Sequence, residues 1–178
     1  MKLSNDLVHT TVDSPLGPLL LAASGERLAG LWFAQQRHLP DSTHWRQDPT
    51  HPVLIEAGAQ LRAYWKGQGK AKGHHFDLPL DLSAGTDFQQ AVWRALLAIA
   101  YGDTTSYGAL SAALGKPAAV RAVGGAVGRN PLGIIVPCHR VIGASGSLTG
   151  YAGGLDRKIA LLQLEGAAFN PGAQSSLL

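Results

Sequence analysis

Apolar residues alternate with polar ones in short stretches near the start of the chain, which predicts β-strands separated by turns. The run Ser14-Pro15-Leu16-Gly17-Pro18 is one such turn by composition. A polar segment interpreted as a loop then leads to apolar residues at helical spacing, and Pro52 suits the first turn of that helix. The predicted strands span residues 7–13, 19–23, 28–33 and 75–80, the loop spans 34–51, and the helix spans 53–65.

The pattern changes after a linker expected at residues 81–85, where the chain becomes rich in alanine and helical in its spacing. Thr86 and Gln89 fit a capping box that begins the first of four further helices. These helices are expected at residues 86–100, 107–114, 117–128 and 155–164, with a short apolar strand at 132–136. The sequence therefore predicts an α+β fold, with an N-terminal domain over 1–84 and a mostly helical domain over 85–178.

Two of the predicted helices, joined by Gly115 and Lys116, have the lengths of a helix-turn-helix. In that motif the second helix meets the nucleic acid. Here the second helix carries Arg121 among small residues, so it has few side chains that read base edges, although its backbone could approach phosphates closely. Tight packing between helices explains the same small residues, and the pattern alone leaves both interpretations open.

Composition and charge narrow the classes of function. Of 178 residues, 46% are hydrophobic and 15% charged, which suits a folded core. The net charge of +3 belongs to residues 86–178, with seven Lys/Arg against four Asp/Glu, whereas residues 1–85 have eight of each. A basic half tolerates nucleic acid, and chance explains so small an excess equally well. Without a long apolar run or a signal peptide, a cytoplasmic protein with no membrane contact is expected.

The single cysteine of the chain, Cys138, lies in the segment Pro137-Cys138-His139-Arg140-Val141. One cysteine excludes an internal disulfide. The thiolate form of cysteine is a nucleophile, and neighbouring cations favour that form. Adjacent residues need not face each other, however, and a buried structural cysteine is an equally good interpretation. A cysteine protease is disfavoured, because its Cys and His are usually distant in sequence.

The segments around this cysteine resemble the O6-alkylguanine-DNA alkyltransferases, also called methylated-DNA–protein-cysteine methyltransferases. The resemblance covers residues 88–166, while residues 1–80 match only in outline. Its motifs are Arg-Ala-Val-Gly-Gly-Ala at 121–126, Asn-Pro at 130–131, Pro-Cys-His-Arg-Val at 137–141 and Gly-Tyr-Ala-Gly-Gly at 150–154. It implies an N-terminal RNase H-like α/β layer followed by a winged-helix-like domain with a helix-turn-helix. It also implies single-turnover transfer of an alkyl group from O6-alkylguanine in duplex DNA to Cys138, with O4-alkylthymine as a second candidate substrate.

The resemblance also implies roles in the chemistry. His139 would take the proton of Cys138 through a water, and Glu165 would hold the other nitrogen of His139. Tyr107 would donate a hydrogen bond to N3 of the leaving guanine, and Asn130 would tie the recognition helix to the active-site turn. From the residues alone, Glu165 could equally be a helix-end carboxylate in solvent, Tyr107 a core aromatic residue, and Asn130 an ordinary turn residue.

Contacts with the extruded base and the duplex follow from the same resemblance. Arg121 would enter the base stack, and small neighbours would let its helix sit in the minor groove. Ala152 stands where some relatives have serine, which removes a hydroxyl and keeps the backbone donor. The implied DNA-binding residues are Ser106, Ala119, Arg121, Ala122 and Gly124, and the implied base-binding residues are Val141, Tyr151, Ala152 and Gly153.

Some relatives hold zinc in the N-terminal domain, but residues 1–85 have no cysteine, and His74, His75 and the other histidines there do not form a ligand pattern. We therefore expect no metal and no cofactor, and a monomer whose partner is double-stranded DNA containing O6-alkylguanine. A non-enzymatic sensor of alkylated bases with the same fold is disfavoured, because such sensors lack the acceptor cysteine. A hydrolase that regenerates Cys138 stays open, and would differ by turning over.

Overall fold

The computed structural model describes residues 3–67 and 76–170. Its N-terminal part is a four-stranded sheet with one helix packed against three of the strands. The elements are β1 (Val8–Val12), β2 (Leu19–Ser24), β3 (Arg27–Phe33), β4 (Arg46–Gln47) and α1 (Pro52–Trp65). The order is β3-β2-β1-β4, antiparallel between the first three strands and parallel between β1 and β4. The three predicted strands at the start of the chain and the helix after Pro52 are confirmed.

Two N-terminal predictions are corrected. The predicted loop over 34–51 contains β4, whose two exposed residues pair with Val8 and His9. Because both residues of β4 are exposed, no alternation of apolar residues marks this strand. The strand predicted over 75–80 is irregular chain in its described part, where a single bridge joins Leu80 to Leu28. Position 75 lies outside the described residues.

The second half of the described chain contains four α-helices: α2 (Asp87–Leu96), α3 (Tyr107–Ala113), α4 (Val120–Gly128) and α5 (Leu155–Glu165). The capping box is confirmed, because the Thr86 hydroxyl accepts from the Gln89 backbone and the Gln89 side chain accepts from the Thr86 backbone. Helix α2 ends at Leu96, before the predicted residue 100, and the chain continues in tighter turns, in which Ala98 N–H donates to the Ala95 carbonyl at 3.3 Å and Ile99 N–H to the Leu96 carbonyl at 3.1 Å. No helix in the described ranges is long and apolar enough to cross a membrane.

Helices α3 and α4 form the predicted helix-turn-helix, and the second helix begins with a 3-10 turn over Pro117–Ala119. Helix α4, the recognition helix, packs on α2, where the Trp93 indole donates to the Ala126 carbonyl at 2.9 Å. Its opposite face leaves Arg121 and Ala122 exposed. A two-stranded parallel pair, β5 (Thr105–Ser106) with β6 (Val141–Ile142), lies beside the motif.

The strand predicted over 132–136 is wrong. This apolar segment is buried, but tight turns satisfy part of its backbone: Ile135 N–H donates to the Gly133 carbonyl and Val136 N–H to the Leu132 carbonyl, both at 2.8 Å. Ile134 has φ of 69°, a left-handed conformation that is costly for a β-branched residue and that its neighbours must hold in place. An apolar run without alternation does not distinguish a buried strand from a buried turn.

The two halves of the described chain share one hydrophobic core. Leu31 and Tyr64 from the first half belong to the same cluster as Trp93 and Leu161 from the second. The backbone joins them as well, because Leu31 N–H donates to the Pro131 carbonyl at 2.8 Å and Gly133 N–H donates to the Leu31 carbonyl at 3.1 Å. The edge strand β3 thus supports the segment that leads to Cys138.

Gly30 in β3 is a test of this packing. It is buried, and a Cβ there would overlap the Trp32 indole. We expect Gly30→Ala to lower the free energy of unfolding in urea by about 1–3 kcal/mol, the cost of overpacking. The control is Gly128→Ala, because Gly128 is helical with open space around a Cβ; it should leave stability unchanged or raise it by up to about 1 kcal/mol. Equal stability of the two variants would contradict this packing.

Candidate active site

Cys138 begins a single 3-10 turn, Cys138–Arg140, directly after Pro137. Its side chain is almost fully buried, with 6% of the residue exposed. The Asn130 amide nitrogen lies 3.1 Å from Sγ, and the Tyr151 hydroxyl is a second hydrogen-bond partner of the thiol. The chain's single sulfur nucleophile is therefore held between polar groups in a buried position.

A buried carboxylate, Glu165, lies next to this turn at the end of α5. Its Oε1 accepts from His139 Nε2 at 2.9 Å, from Arg140 Nη2 at 2.8 Å and from the Tyr64 hydroxyl at 2.8 Å. Its Oε2 accepts from Arg140 Nε at 2.8 Å and from the Gly102 backbone at 3.4 Å. The predicted pairing of Glu165 with His139 is thus present, and the alternative of a solvent-exposed carboxylate is excluded.

Burial and the hydrogen bonds of Glu165 determine the protonation states of Glu165 and His139. Burial raises the pKa of the Glu165 carboxyl, but the hydrogen bonds from His139 and Arg140 outweigh it and hold the pKa far below its usual range. Burial lowers the pKa of the His139 imidazole, against the opposing effect of Glu165. Glu165 therefore stays ionised, and His139 rests neutral at physiological pH, with Nδ1 buried and lacking a hydrogen-bond partner among the described residues.

The cation that acts on the thiol is Lys158. Burial raises the pKa of the Cys138 thiol, whereas the Asn130 hydrogen bond and the Lys158 charge lower it. Lys158 is completely buried on α5, and its Nζ donates to the Val141 carbonyl at 2.6 Å and to the Thr149 carbonyl at 3.3 Å. Burial lowers the pKa of Lys158 to about 8, so it carries its charge at pH 7.

Sequence reasoning missed three members of the site. It considered Arg140 only as a cation near Cys138 in sequence, whereas the guanidinium binds Glu165 and the Ile99 carbonyl. It did not find Lys158, although Lys158, Leu161, Leu162 and Glu165 share one buried face of α5, and that spacing was a readable signal. It did not single out Tyr64, which lies within the helix predicted over 53–65. Local pattern could not connect Tyr64 to a partner 101 positions away.

Asn130 follows α4 and joins it to the active-site turn. Its Nδ2 donates to the Val136 carbonyl at 2.7 Å as well as approaching Cys138, and its Oδ1 accepts from the Leu132 backbone at 3.0 Å. Tyr107, at the start of α3, is half-buried and accepts a hydrogen bond from Thr149 at 3.2 Å. Burial raises the Tyr107 pKa, which keeps its hydroxyl protonated and able to donate.

Residues 150–154, the pocket loop, close the site on the side of the recognition helix. Tyr151 and Ala152 line a cavity of about 530 Å³ together with Gly124 and Arg129 of the α4 region. Gly153 is buried, and the Val141 carbonyl, expected to accept from a base, already accepts from Lys158. A carbonyl oxygen has two lone pairs, so one stays available.

The residues implied for DNA binding lie around the recognition helix. Arg121 and Ala122 are exposed, while Ala119 is half-buried in the turn before α4. A Cβ on Gly124 would lie 3.7 Å from the Tyr107 ring, an ordinary contact distance, so this part of the recognition helix lies next to Tyr107. Ser106 caps α3, because its hydroxyl accepts from the Ala109 backbone. In residues 3–67 and 76–170, no three His, Cys, Asp or Glu side chains gather where they could hold a metal.

A helix-turn-helix with a buried cysteine and a His–Glu pair directly behind it defines a narrow class, DNA-binding proteins with a thiol active site. Family models agree with this class over both halves of the chain. Residues 87–167 match the DNA-binding domain of 6-O-methylguanine DNA methyltransferase, and residues 7–82 match its ribonuclease-like domain. The chain belongs to the O6-methylguanine DNA methyltransferase family, with its two-domain α+β architecture.

Individual relatives and a solved structure are similar to this chain over most of its length and carry names of the same family. A methylated-DNA–protein-cysteine methyltransferase of Mycobacterium tuberculosis is 54% identical over 157 residues, covering 88% of this chain and 91% of the relative. One of Methanosarcina acetivorans is 46% identical over 164 residues, covering 90% and 99%. The crystal structure of Mycobacterium tuberculosis OGT in complex with DNA superposes with a TM-score of 0.80 at 53% identity, covering 89% of this chain and 92% of that one.

Replacing Lys158 by methionine tests its charge. Because the Lys158 charge favours the Cys138 thiolate, Lys158→Met should slow alkylation of Cys138 by iodoacetamide below about pH 8, where Lys158 is charged in the wild type. The difference between the variant and the wild type should shrink as the pH rises through about 8, because Lys158 then loses its proton. The rate of alkylation of this single cysteine, followed between pH 5 and 10, measures the difference. Lys116→Met, at an exposed lysine, is the control, and identical rate profiles of both variants would refute the role of Lys158.

Proposed function

We propose that this protein repairs DNA by transferring the alkyl group of O6-alkylguanine irreversibly to Cys138. The observation that carries the proposal is the buried Cys138 thiol beside the His139–Glu165 pair, directly behind the recognition helix. Membership of the family supports the reaction class. The monomeric state and the cytoplasmic location stay predictions.

Activation of the thiol is the first step. Cys138 loses its proton to His139 Nδ1 through one water molecule, since Nδ1 is the ring nitrogen that Glu165 leaves open. The imidazolium that forms is stabilised by the ionised Glu165 carboxylate. The thiolate that forms is stabilised by the Asn130 amide and by Lys158. The proton stays within the protein, and one neutral pair becomes one ion pair.

Transfer of the alkyl group is the second step. The Cys138 thiolate attacks the alkyl carbon, the carbon–O6 bond breaks, and guanine leaves with the electron pair of that bond. Tyr107 donates a hydrogen bond to N3 and stabilises the negative charge that develops on the ring. Guanine takes up one proton and the His139 imidazolium gives one up, so His139 returns to its neutral form and Cys138 keeps the alkyl group as a thioether. The thioether has no leaving group under mild conditions, so each molecule acts once.

Access to O6 requires the nucleotide to leave the base stack, at a cost of a few kcal/mol. In our proposal Arg121 fills the vacated place in the stack, since it is exposed on the first turn of α4. Ala119, Ala122 and Gly124 let the backbone of this helix approach the minor groove. A helix without base-reading side chains suits a lesion that occurs in any sequence.

The pocket loop receives the extruded base. Tyr151 packs on the ring, the backbones of Ala152 and Gly153 face its polar edge, and the second lone pair of the Val141 carbonyl accepts from the exocyclic amine. The Tyr151 hydroxyl is a hydrogen-bond partner of the Cys138 thiol, so this side chain lies next to the attacking sulfur. The small residues of this loop also leave room for alkyl groups larger than methyl.

The central experiment is an intact-mass measurement after incubation with duplex DNA containing O6-methylguanine. The wild type should gain the mass of one methyl group stoichiometrically, and a peptide map should place it on Cys138. Cys138→Ala should bind the same DNA without gaining mass. DNA binding without mass gain by the wild type would favour the non-enzymatic sensor, and release of more product than protein would favour the hydrolase.

A second experiment separates base extrusion from chemistry. Arg121→Ala should slow methyl transfer from duplex DNA by about tenfold or more, because about 1.4 kcal/mol of lost support for the extruded state is already tenfold. Reaction with free O6-benzylguanine needs no extrusion and should keep its rate. Arg46→Ala, on exposed β4, is the control for loss of an arginine. Equal losses of rate on both substrates would contradict the role of Arg121 in base extrusion. If O6-benzylguanine did not label the wild type, the prediction that the pocket accepts alkyl groups larger than methyl would be wrong.

A further inference from the structure

We propose that Arg157 is a positioning residue that holds the pocket loop against the N-terminal half, so that the N-terminal half determines the shape of the base pocket. The role of the loop as that pocket rests on the proposed function. Arg157 lies in the first turn of α5, directly after the loop in sequence, and its side chain is half-buried.

The guanidinium of Arg157 joins three separate segments of backbone. Its Nη1 donates to the Gly153 carbonyl in the pocket loop at 2.9 Å. Its Nε donates to the Leu16 carbonyl in the turn between β1 and β2 at 3.1 Å, and Nη2 lies 3.5 Å from the Ala34 carbonyl after β3. The same group stacks on the Phe33 ring, with its central carbon 4.6 Å from the ring centroid.

This arrangement requires an arginine. Three carbonyls in three directions match the planar fork of a guanidinium, whereas a lysine ammonium is a single point at the end of a flexible stem. In the described part of the chain no carboxylate forms a salt bridge with Arg157. The charge is instead balanced by carbonyl dipoles and by the face of an aromatic ring.

The N-terminal half holds the pocket loop at two further points. The Ala152 carbonyl accepts from the Arg37 backbone at 2.9 Å, so two successive carbonyls of the loop are bound. Gly153 fits between two rings, because a Cβ there would meet Tyr151 at 2.7 Å and Phe33 at 3.0 Å. The position of the Tyr151 side chain, whose hydroxyl is a hydrogen-bond partner of the thiol, thus depends on residues of β3 and the segment after it.

Lys158, the next residue of α5, donates to the carbonyl of Thr149, the residue just before the pocket loop. The two neighbours differ in what they touch: the charge of Lys158 acts on Cys138, whereas Arg157 contacts the loop and the N-terminal half. Loss of Arg157 should therefore weaken capture of the base without slowing the chemistry that follows. Loss of His139, which takes the proton of Cys138, should instead slow the chemistry without weakening capture of the base.

Saturation kinetics with free O6-benzylguanine test this division. Arg157→Ala should raise the half-saturating concentration about tenfold, as expected for losing charged hydrogen bonds that hold the loop, and change the limiting rate by less than about twofold. Arg157→Lys keeps the charge and should recover only part of the effect. Arg62→Ala, at an exposed arginine of α1, is the matched control and should behave as the wild type. An unchanged half-saturating concentration, or a fall in the limiting rate alone, would overturn the proposal.

Hydrogen–deuterium exchange of the backbone amides at 150–154 gives a readout that does not depend on activity. Exchange there should accelerate in Arg157→Ala and in Arg157→Lys, but not in Arg62→Ala, while the amides of α2 stay protected in all of them. Unchanged exchange in both Arg157 variants would overturn the proposal. A wild type that transfers nothing to Cys138 would instead refute the proposed function, and the exchange data would still decide whether Arg157 holds the loop.

Discussion

The buried carboxylate of Glu165 accepts five hydrogen bonds from four residues, and the geometry of the site depends on them. A carboxylate without these partners would be costly at such a depth, because an unpaired buried charge loses its hydration. Arg140 compensates the charge, Tyr64 and Gly102 occupy further lone pairs, and His139 is oriented as a consequence. The last residue of α5 thereby fixes the direction in which His139 offers its free nitrogen.

Burial also explains why the Cys138 thiol stays protonated and unreactive at rest. The pKa of Cys138 is raised and that of His139 lowered by the same exclusion of water, so the neutral pair is favoured until a substrate is present. A buried neutral thiol reacts slowly with oxidants and with chance electrophiles. For a protein that uses its cysteine once, this protection preserves the molecule. Lys158 and Asn130 reduce the cost of forming the thiolate without removing that protection.

The N-terminal half takes part in the site from three directions. The Tyr64 hydroxyl of α1 donates to the Glu165 carboxylate, and the backbone of β3 is hydrogen-bonded to Pro131 and Gly133. Phe33, together with the turn that binds Arg157, supports the pocket loop. The family model describes this half as ribonuclease-like, and its contacts support the segments of the second half that form the site.

Local sequence was enough to predict the early strands, the capped helices, the helix-turn-helix and the segment around Cys138, because each depends on spacing or on neighbouring residues. It was also enough, with the family resemblance, to pair His139 with Glu165. Only the tertiary structure decided that residues 132–136 form a turn, since burial hides the alternation that marks a strand. It alone revealed Tyr64, Lys158 and Arg157, because their partners lie in other elements, and chain folding, which no local pattern encodes, brings them together.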